Sequence, residues 1–210
     1  MKYDFTTIMD RRGKDAIAVD IPCSGGGEGF FADAQIKEGF SVIPMWVADM
    51  NFPTVPTIPQ VIAQRAAHPA YGYFQPRKAY YDAVIHWHEQ SYGTTGLTPE
   101  CIGYENGVLG GVVSALKIFC QPGDSIIIQS PTYIGFTHCA EDNGWKLVLN
   151  PLIQDETGIW RIDYKDLEEK VSSGKIHAAI FCSPHNPAGR VWEPWEIEKL
   201  MDIYRKYDVY

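Results

Sequence analysis

No stretch of the 210-residue sequence approaches the ~20 consecutive apolar residues that a bilayer-spanning helix requires, so a helical membrane span is excluded. Basic charge is in deficit as well. Against 26 Asp and Glu there are 18 Lys and Arg, and the net charge of -8 argues against nucleic acid or an anionic membrane as the main partner. The opening residues, Met1-Lys2-Tyr3-Asp4-Phe5, lack the apolar core of a secretion signal, so the expected location is the cytoplasm. Cysteine is sparse and unpatterned: Cys23, Cys101, Cys120, Cys139 and Cys182 are odd in number, widely spaced and form no CxxC. They read as reduced, mostly buried thiols with no metal site among them. HExxH and GxSxG are also absent. His86-Trp87-His88-Glu89 sets its histidines two apart, on different faces of a helix, so they read as surface residues.

What is present is apolar material for a real core, 45% hydrophobic against 21% charged residues. Residues 1–45 read as irregular. Their glycine cluster, Gly25-Gly26-Gly27-Glu28-Gly29, has no β-branched run leading in and no Lys-Ser/Thr pair following, so it reads as a flexible surface loop and not a phosphate loop. Helices are expected over 61–67 and 78–90, the second with Ala79, Ala83 and Trp87 at helical spacing. An alternation then begins: helix 108–119, strand 125–129, helix 133–142, strand 145–149, helix 163–171 capped by Asp163, strand 177–182 and helix 194–206. The last helix carries a proline in its first turn and acids at its positive end. Continuous apolar strands alternating with helices imply an α/β fold with a mostly parallel sheet covered on both faces. Residues 207–210 read as the start of another buried strand, and the expectation is a chain truncated within its large domain.

In such sheets ligands bind beyond the carboxyl ends of the strands, which directs attention to residues 106–110, 130–136 and 183–190. Glu105-Asn106-Gly107-Val108-Leu109-Gly110-Gly111 is a glycine-rich turn opening a helix, where free N–H groups suit a phosphate or glycine simply aids packing. Ser130-Pro131-Thr132-Tyr133 sets an aromatic ring at the sheet edge, either flat against a planar heteroaromatic ligand or in the core beneath the next helix. In Ser183-Pro184-His185-Asn186-Pro187-Ala188-Gly189-Arg190 two prolines hold Asn186 with little freedom, suited to one fixed hydrogen bond. No periodicity explains Met45-Trp46-Val47-Ala48-Asp49-Met50-Asn51-Phe52-Pro53.

Taken in order, WVADMNFP, YGYF, NGVLGG, SPTY and SPHNPAGRVW resemble the class I/II aminotransferase superfamily, the fold-type I enzymes of pyridoxal 5'-phosphate (PLP). More narrowly the chain resembles the branch of cystathionine β-lyase and related C–S lyases, some members of which also modulate a maltose regulon. The likeness runs from Asp10-Arg11-Arg12-Gly13 onward. It implies an arm and part of a small domain over 1–45 and the first part of a large PLP-binding domain over 46–210.

Residue by residue, the resemblance implies that the backbone at Val108 and Leu109 holds the cofactor phosphate and that Tyr133 stacks on the pyridine ring. Asn186 bonds the ring's phenolic oxygen. Tyr73, with Tyr71 as the alternative, serves the phosphate site of a partner subunit in a homodimer, and the backbone near Ala48 meets the substrate carboxylate. Asn51 and Ala188 depart from the branch's usual Asp and Thr. The family's Schiff-base lysine matches no lysine context in these residues, so no catalytic residue is assigned here. The implied activity is β-elimination of a thiol from a small amino-acid substrate, giving pyruvate and ammonia. An aminotransferase is the alternative, and a non-catalytic regulatory relative of the same fold is a second.

Overall fold

The computed structural model describes residues 3–23 (Cys23 as backbone), 37–41 and 43–210. The glycine cluster at 25–29 and the Cys23 thiol therefore lie outside the described residues. The chain divides into two compact units, Met1–Pro76 and Arg77–Tyr210.

In the first unit the expectation of an irregular segment up to residue 45 is corrected by a short helix, α1 (Ile17–Cys23). Seven residues with Pro22 inside show no apolar stripe, which is why pattern reading passes over it. The Asp20 carboxylate stabilises its start, accepting hydrogen bonds from the amides of Gly13 (2.8 Å) and Ala16 (3.2 Å). The next helix, α2 (Thr57–Ala66), begins four residues before the expected 61. Pro59 falls in its first turn, where a missing N–H costs no intrahelical bond.

The second unit opens with α3 (Lys78–Tyr92), closed by Gly93 in the left-handed conformation (φ 64°). Its half-buried stripe is Tyr81, Val84, Ile85 and His88, not the expected Ala79, Ala83 and Trp87, all of which are exposed. Tyr81, Val84, Ile85 and His88 stand at i, i+3, i+4 and i+7, the spacing of one helical face. Trp87 is apolar in type but falls off that face. After a 3-10 turn at Pro99–Cys101 come α4 (Gly107–Phe119), β1 (Ser125–Ser130), α5 (Ile134–Asp142) and β2 (Lys146–Pro151). A small hairpin, β3 (Ile153–Gln154) with β4 (Trp160–Arg161), falls where no strand is expected; two-residue strands are too short to show alternation. Then follow α6 (Tyr164–Val171), β5 (Ile176–Ile180) and α7 (Pro194–Lys206), the last with the expected bounds.

The main sheet is β2-β1-β5 and wholly parallel. On β1 the pleat sends Ile126 and Ile128 to one face and Ile127 to the other, and both faces are covered. Ile126 and Ile128 pack with Leu116 and Cys120 of α4 and its end, Ala140 of α5 and Trp145. Ile127 packs with Leu167 and Val171 of α6 and with Leu200, Ile203 and Tyr204 of α7. The alternation of faces breaks on β5, where Ile176 joins the second cluster and Ala178 and Ile180 the first. A register shift explains this: Ser125 pairs with Ile176 but Ile126 with Ala178, so His177 bulges and the pleat changes phase.

Helix ends follow local chemistry. Asp163 caps α6 as expected, its side chain accepting from the amides of Lys165 and Asp166. At the start of α7 the N-cap Glu193, just before Pro194, forms a capping box with Glu196 in the first turn. Beyond α7 the expected strand over 207–210 is corrected to a turn at Tyr207 and Asp208, after which Tyr210 alone donates to the His177 carbonyl (2.9 Å) and accepts from the Ala179 amide (2.7 Å) in a parallel pairing. Of the described cysteines only Cys120 and Cys139 are buried; Cys182 is half-buried and Cys101 exposed, so the expectation of mostly buried thiols holds for two of four.

Candidate active site

Because β1 and β5 are parallel neighbours, their carboxyl ends open on one edge of the sheet. The loop after β1 turns through Pro131 and Thr132 to Tyr133, which precedes α5 in an extended conformation (φ -67°, ψ 127°). The Tyr133 ring is 39% exposed and meets Phe136 edge-on, with centroids 5.5 Å apart. It folds down over Gly135 so closely that a Cβ there would lie 2.4 Å from the ring, and 3.0 Å from Leu109 Cδ1. Glycine at 135 thus permits a close approach that also brings Tyr133 beside Leu109 at the start of α4. The ring is thus packed in part against Phe136 and open in part to solvent, which is not the placement of a core tyrosine.

At the head of α4 Gly107 adopts φ +79°, and the preceding Asn106 side chain makes no capping bond. The first-turn amides of a helix have no intrahelical acceptor, so those of Val108 and Leu109 are available donors. Val108 is exposed and Leu109 half-buried. A groove of about 550 Å³ between α4 and α5 is lined by Glu105, Leu109, Tyr133, Gly135, His138 and Asn143 among others. The groove brings Leu109 and Tyr133 together; Val108 and Asn186 do not line it.

The loop after β5 is held from several sides. His185 donates its amide to the Arg190 carbonyl (2.7 Å) and accepts the Gly189 amide at its own carbonyl (2.6 Å). Trp192 Nε1 reaches back to the Cys182 carbonyl (2.9 Å). Arg190 pairs with Glu196, a carboxylate wholly buried on α7 that also accepts from Arg161 (3.0 Å) and from the Glu193 amide (2.9 Å). Asn186 stands exposed on this frame. The bond that joins the two site loops is His185 Nε2 to the Pro131 carbonyl, 2.9 Å. Three buried polar atoms without a partner among the described residues belong to these loops: Thr132 Oγ1, His185 Nδ1 and Arg190 Nε. Sequence reading singled out Asn186 but missed His185 and Glu196. Only the spacing of Glu193 and Glu196 across the helix start carried a signal, that of a capping box.

The remaining expected residues lie in the first unit. At Ala48 the chain makes a tight turn, with the Asp49 amide bonded to the Val47 carbonyl (2.8 Å). Arg11 braces that turn through Asp49 (2.6 Å) and the Met50 carbonyl (3.0 Å), and Trp46 donates to the Ala18 carbonyl on α1 (3.1 Å). Tyr73 is fully exposed. Tyr71 is engaged within its unit, its hydroxyl on the Ala66 carbonyl (2.8 Å) and its ring under Arg65.

A doubly covered parallel sheet whose carboxyl edge gathers a helix start, an aromatic face and a loop amide is an α/β ligand-binding architecture. The chain belongs to the aminotransferase class I and II family, whose model matches residues 42–210. It is 36% identical over 167 residues to the cystathionine beta-lyase PatB of Bacillus subtilis (strain 168), covering 80% of this chain and 43% of that protein. The PLP-bound C-S lyase from Staphylococcus hominis superposes with a TM-score of 0.79 at 32% identity, over 99% of this chain and 49% of that one. Cystalysin from Treponema denticola, a structure containing a pyridoxal 5'-phosphate cofactor, superposes with a TM-score of 0.83 at 31% identity, over 100% of this chain and 50% of the other. The chain spans about half the length of the relatives it matches.

Proposed function

We propose that this chain is part of a PLP-dependent C–S β-lyase, which releases a thiol, pyruvate and ammonia from a small thioether amino acid. The observation that carries the reading is the tie between the loops of Tyr133 and Asn186 at one sheet edge, with Leu109 of the α4 start against the same tyrosine. The groups suit the cofactor: an uncapped helix start for a phosphate, a half-exposed aromatic face for a planar ring, and an exposed amide for an oxygen acceptor. Thr132 Oγ1, buried beside Tyr133 without a partner among the described residues, fits a site whose polar complement comes from a ligand.

In this reading the Val108 and Leu109 amides donate to the phosphate, and the positive end of α4 favours its charge. The Tyr133 ring lies against the pyridine. Asn186 donates its side-chain amide to the phenolic oxygen, held in orientation by the frame of His185, Trp192 and Arg190. The Ala48 turn, braced by Arg11, offers backbone donors to the substrate carboxylate. When bound, PLP supplies an electron-accepting ring for the charge left at the substrate's α-carbon. A thiolate leaves from the β-carbon more readily than an alkoxide, thiols being the stronger acids, which favours thioether substrates. No lysine of these 210 residues is assigned the covalent attachment.

The same reading makes the protein a cytoplasmic homodimer in which Tyr73, free of the bonds that occupy Tyr71, serves the phosphate site of a second copy. Residues 1–45 are then an arm and part of a small domain, and 46–210 the first part of a large domain. The packing boundary after Pro76 falls inside the latter.

Pyruvate release from an S-substituted cysteine by the full gene product, with PLP and without added keto acid, tests the reading. Turnover under those conditions supports a lyase. Turnover that requires a keto acid replaces it with the aminotransferase reading.

A further inference from the structure

His185 is 3% exposed, yet the imidazole is not simply packed away. A carbonyl only accepts, so the 2.9 Å contact with the Pro131 carbonyl requires the proton on Nε2. Nδ1 is buried and has no partner among the described residues. The ring meets Trp192 edge-on at 5.6 Å, and Trp192 is itself buried and tied to the Cys182 carbonyl. Both backbone groups of His185 are engaged within its own loop, whose far end Arg190 fastens to Glu196 on α7. The Nε2 bond is therefore a link between two otherwise separately held segments, spanning 54 residues of sequence.

We propose that His185 is a positioning residue. By donating from its buried imidazole to the Pro131 carbonyl it locks the loop of Asn186 to the loop of Tyr133, so that the ring-facing aromatic and the amide keep a fixed spacing. The inference rests on the cofactor reading above and deepens it. His185 touches neither cofactor nor substrate in this assignment. It acts through Pro131 on one side and through the adjacent Asn186 on the other. Its removal frees the two segments from each other without altering either donor.

The test uses the full gene product and three variants. His185→Phe keeps a flat ring against Trp192 without a donor. His185→Gln carries an amide nitrogen at the reach of Nε2, and His185→Asn carries one that falls short. Three quantities are read: the Kd for PLP, the absorbance spectrum of bound PLP, and amide hydrogen exchange at Thr132–Ile134 and at His185, Asn186 and 188–190 in the cofactor-free protein.

With Phe and Asn, exchange is expected to rise at both loops together, the spectrum to shift, and the Kd for PLP to increase about 3- to 10-fold, the worth of one net hydrogen bond. Gln restores all three. Equal PLP binding and an unchanged spectrum in the Phe variant overturn the proposal, as does failure of Gln and Asn to the same degree. If the Phe variant does not fold, the Gln and Asn pair decides alone. If the wild-type protein binds no PLP, the functional reading fails, and exchange confined to the loop of Asn186 in the variants then refutes the link itself.

Discussion

Replacing Gly135 with alanine separates fold from site in a single methyl group. Built on the backbone, the new Cβ stands 2.4 Å from Tyr133 Cε1, 2.9 Å from Cζ and 3.0 Å from Leu109 Cδ1. Carbon atoms in contact settle at about 3.5–4.0 Å, so the ring must move by roughly 1 Å or more. It has somewhere to go, being 39% exposed. Swinging out forfeits its edge contact with Phe136, about 0.5–1.5 kcal/mol. Alanine in place of glycine within α5 returns about 0.5–1 kcal/mol. The two effects nearly cancel, and Tm is expected to stay within about 3 °C of the parent.

The site is not compensated in that way. A displaced Tyr133 no longer presents its face, and loss of a stacking interaction of about 0.5–1.5 kcal/mol raises the Kd for PLP about 2- to 12-fold. Fluorescence titration of the full gene product with PLP measures this. Because Gly135→Ala acts through the ring, it should add nothing in a Tyr133→Ala background. A Kd equal to that of the parent, or a full additional loss in the double variant, refutes the reasoning.

Glu196→Ala strands Arg190 and Arg161 beside a buried cavity, and urea denaturation is expected to show a loss of about 3–5 kcal/mol. Hydrogen bonds from Thr157 and then Arg161 hold the Asp155 carboxyl below its usual range, and Trp195 first, then Arg161, does the same for Glu193. A depressed folded pKa contributes stability above the unfolded value of about 4 and loses it as pH falls through the folded one. Acid unfolding followed by circular dichroism should therefore be shallower below about pH 4 in Asp155→Asn than in the parent. Thr98, through its backbone first, lowers the pKa of exposed Cys101, whereas burial raises those of Cys120 and Cys139. Iodoacetamide on the native protein should modify Cys101 ahead of the other two, as read by peptide mass; equal rates would contradict the burial assignments.

The sequence was most legible where local chemistry and packing agree. The bounds of α7 follow from Pro194 and its acidic neighbours, because the cap is local in the chain. The three isoleucines of β1 announce a strand buried on both faces. Legibility failed where burial is decided at a distance. Trp87 looks like core by type but lies off the stripe of Val84 and Ile85, and only the packed helix reveals which face is covered. α1 is too short and too interrupted by Pro22 to show a period. Asn186 and Tyr133 could be singled out because each follows an apolar strand. The bond that makes one site of their loops could not, since its acceptor is a backbone carbonyl far along the chain, and any residue type supplies such a carbonyl. Glu196 was missed in its larger role for a similar reason. An acid in the first turn of a helix reads as solvent-facing, until two arginines from other segments close over it.

The most direct test of the central claim is a PLP titration of the full gene product and its Asn186→Ala variant. One PLP is expected per chain, held at least about tenfold more weakly by the variant, since a hydrogen bond to a charged oxygen contributes about 1.5–3 kcal/mol. Absence of saturable binding, or binding by Asn186→Ala equal to that of the parent, would contradict the assignment of this sheet edge as a cofactor site.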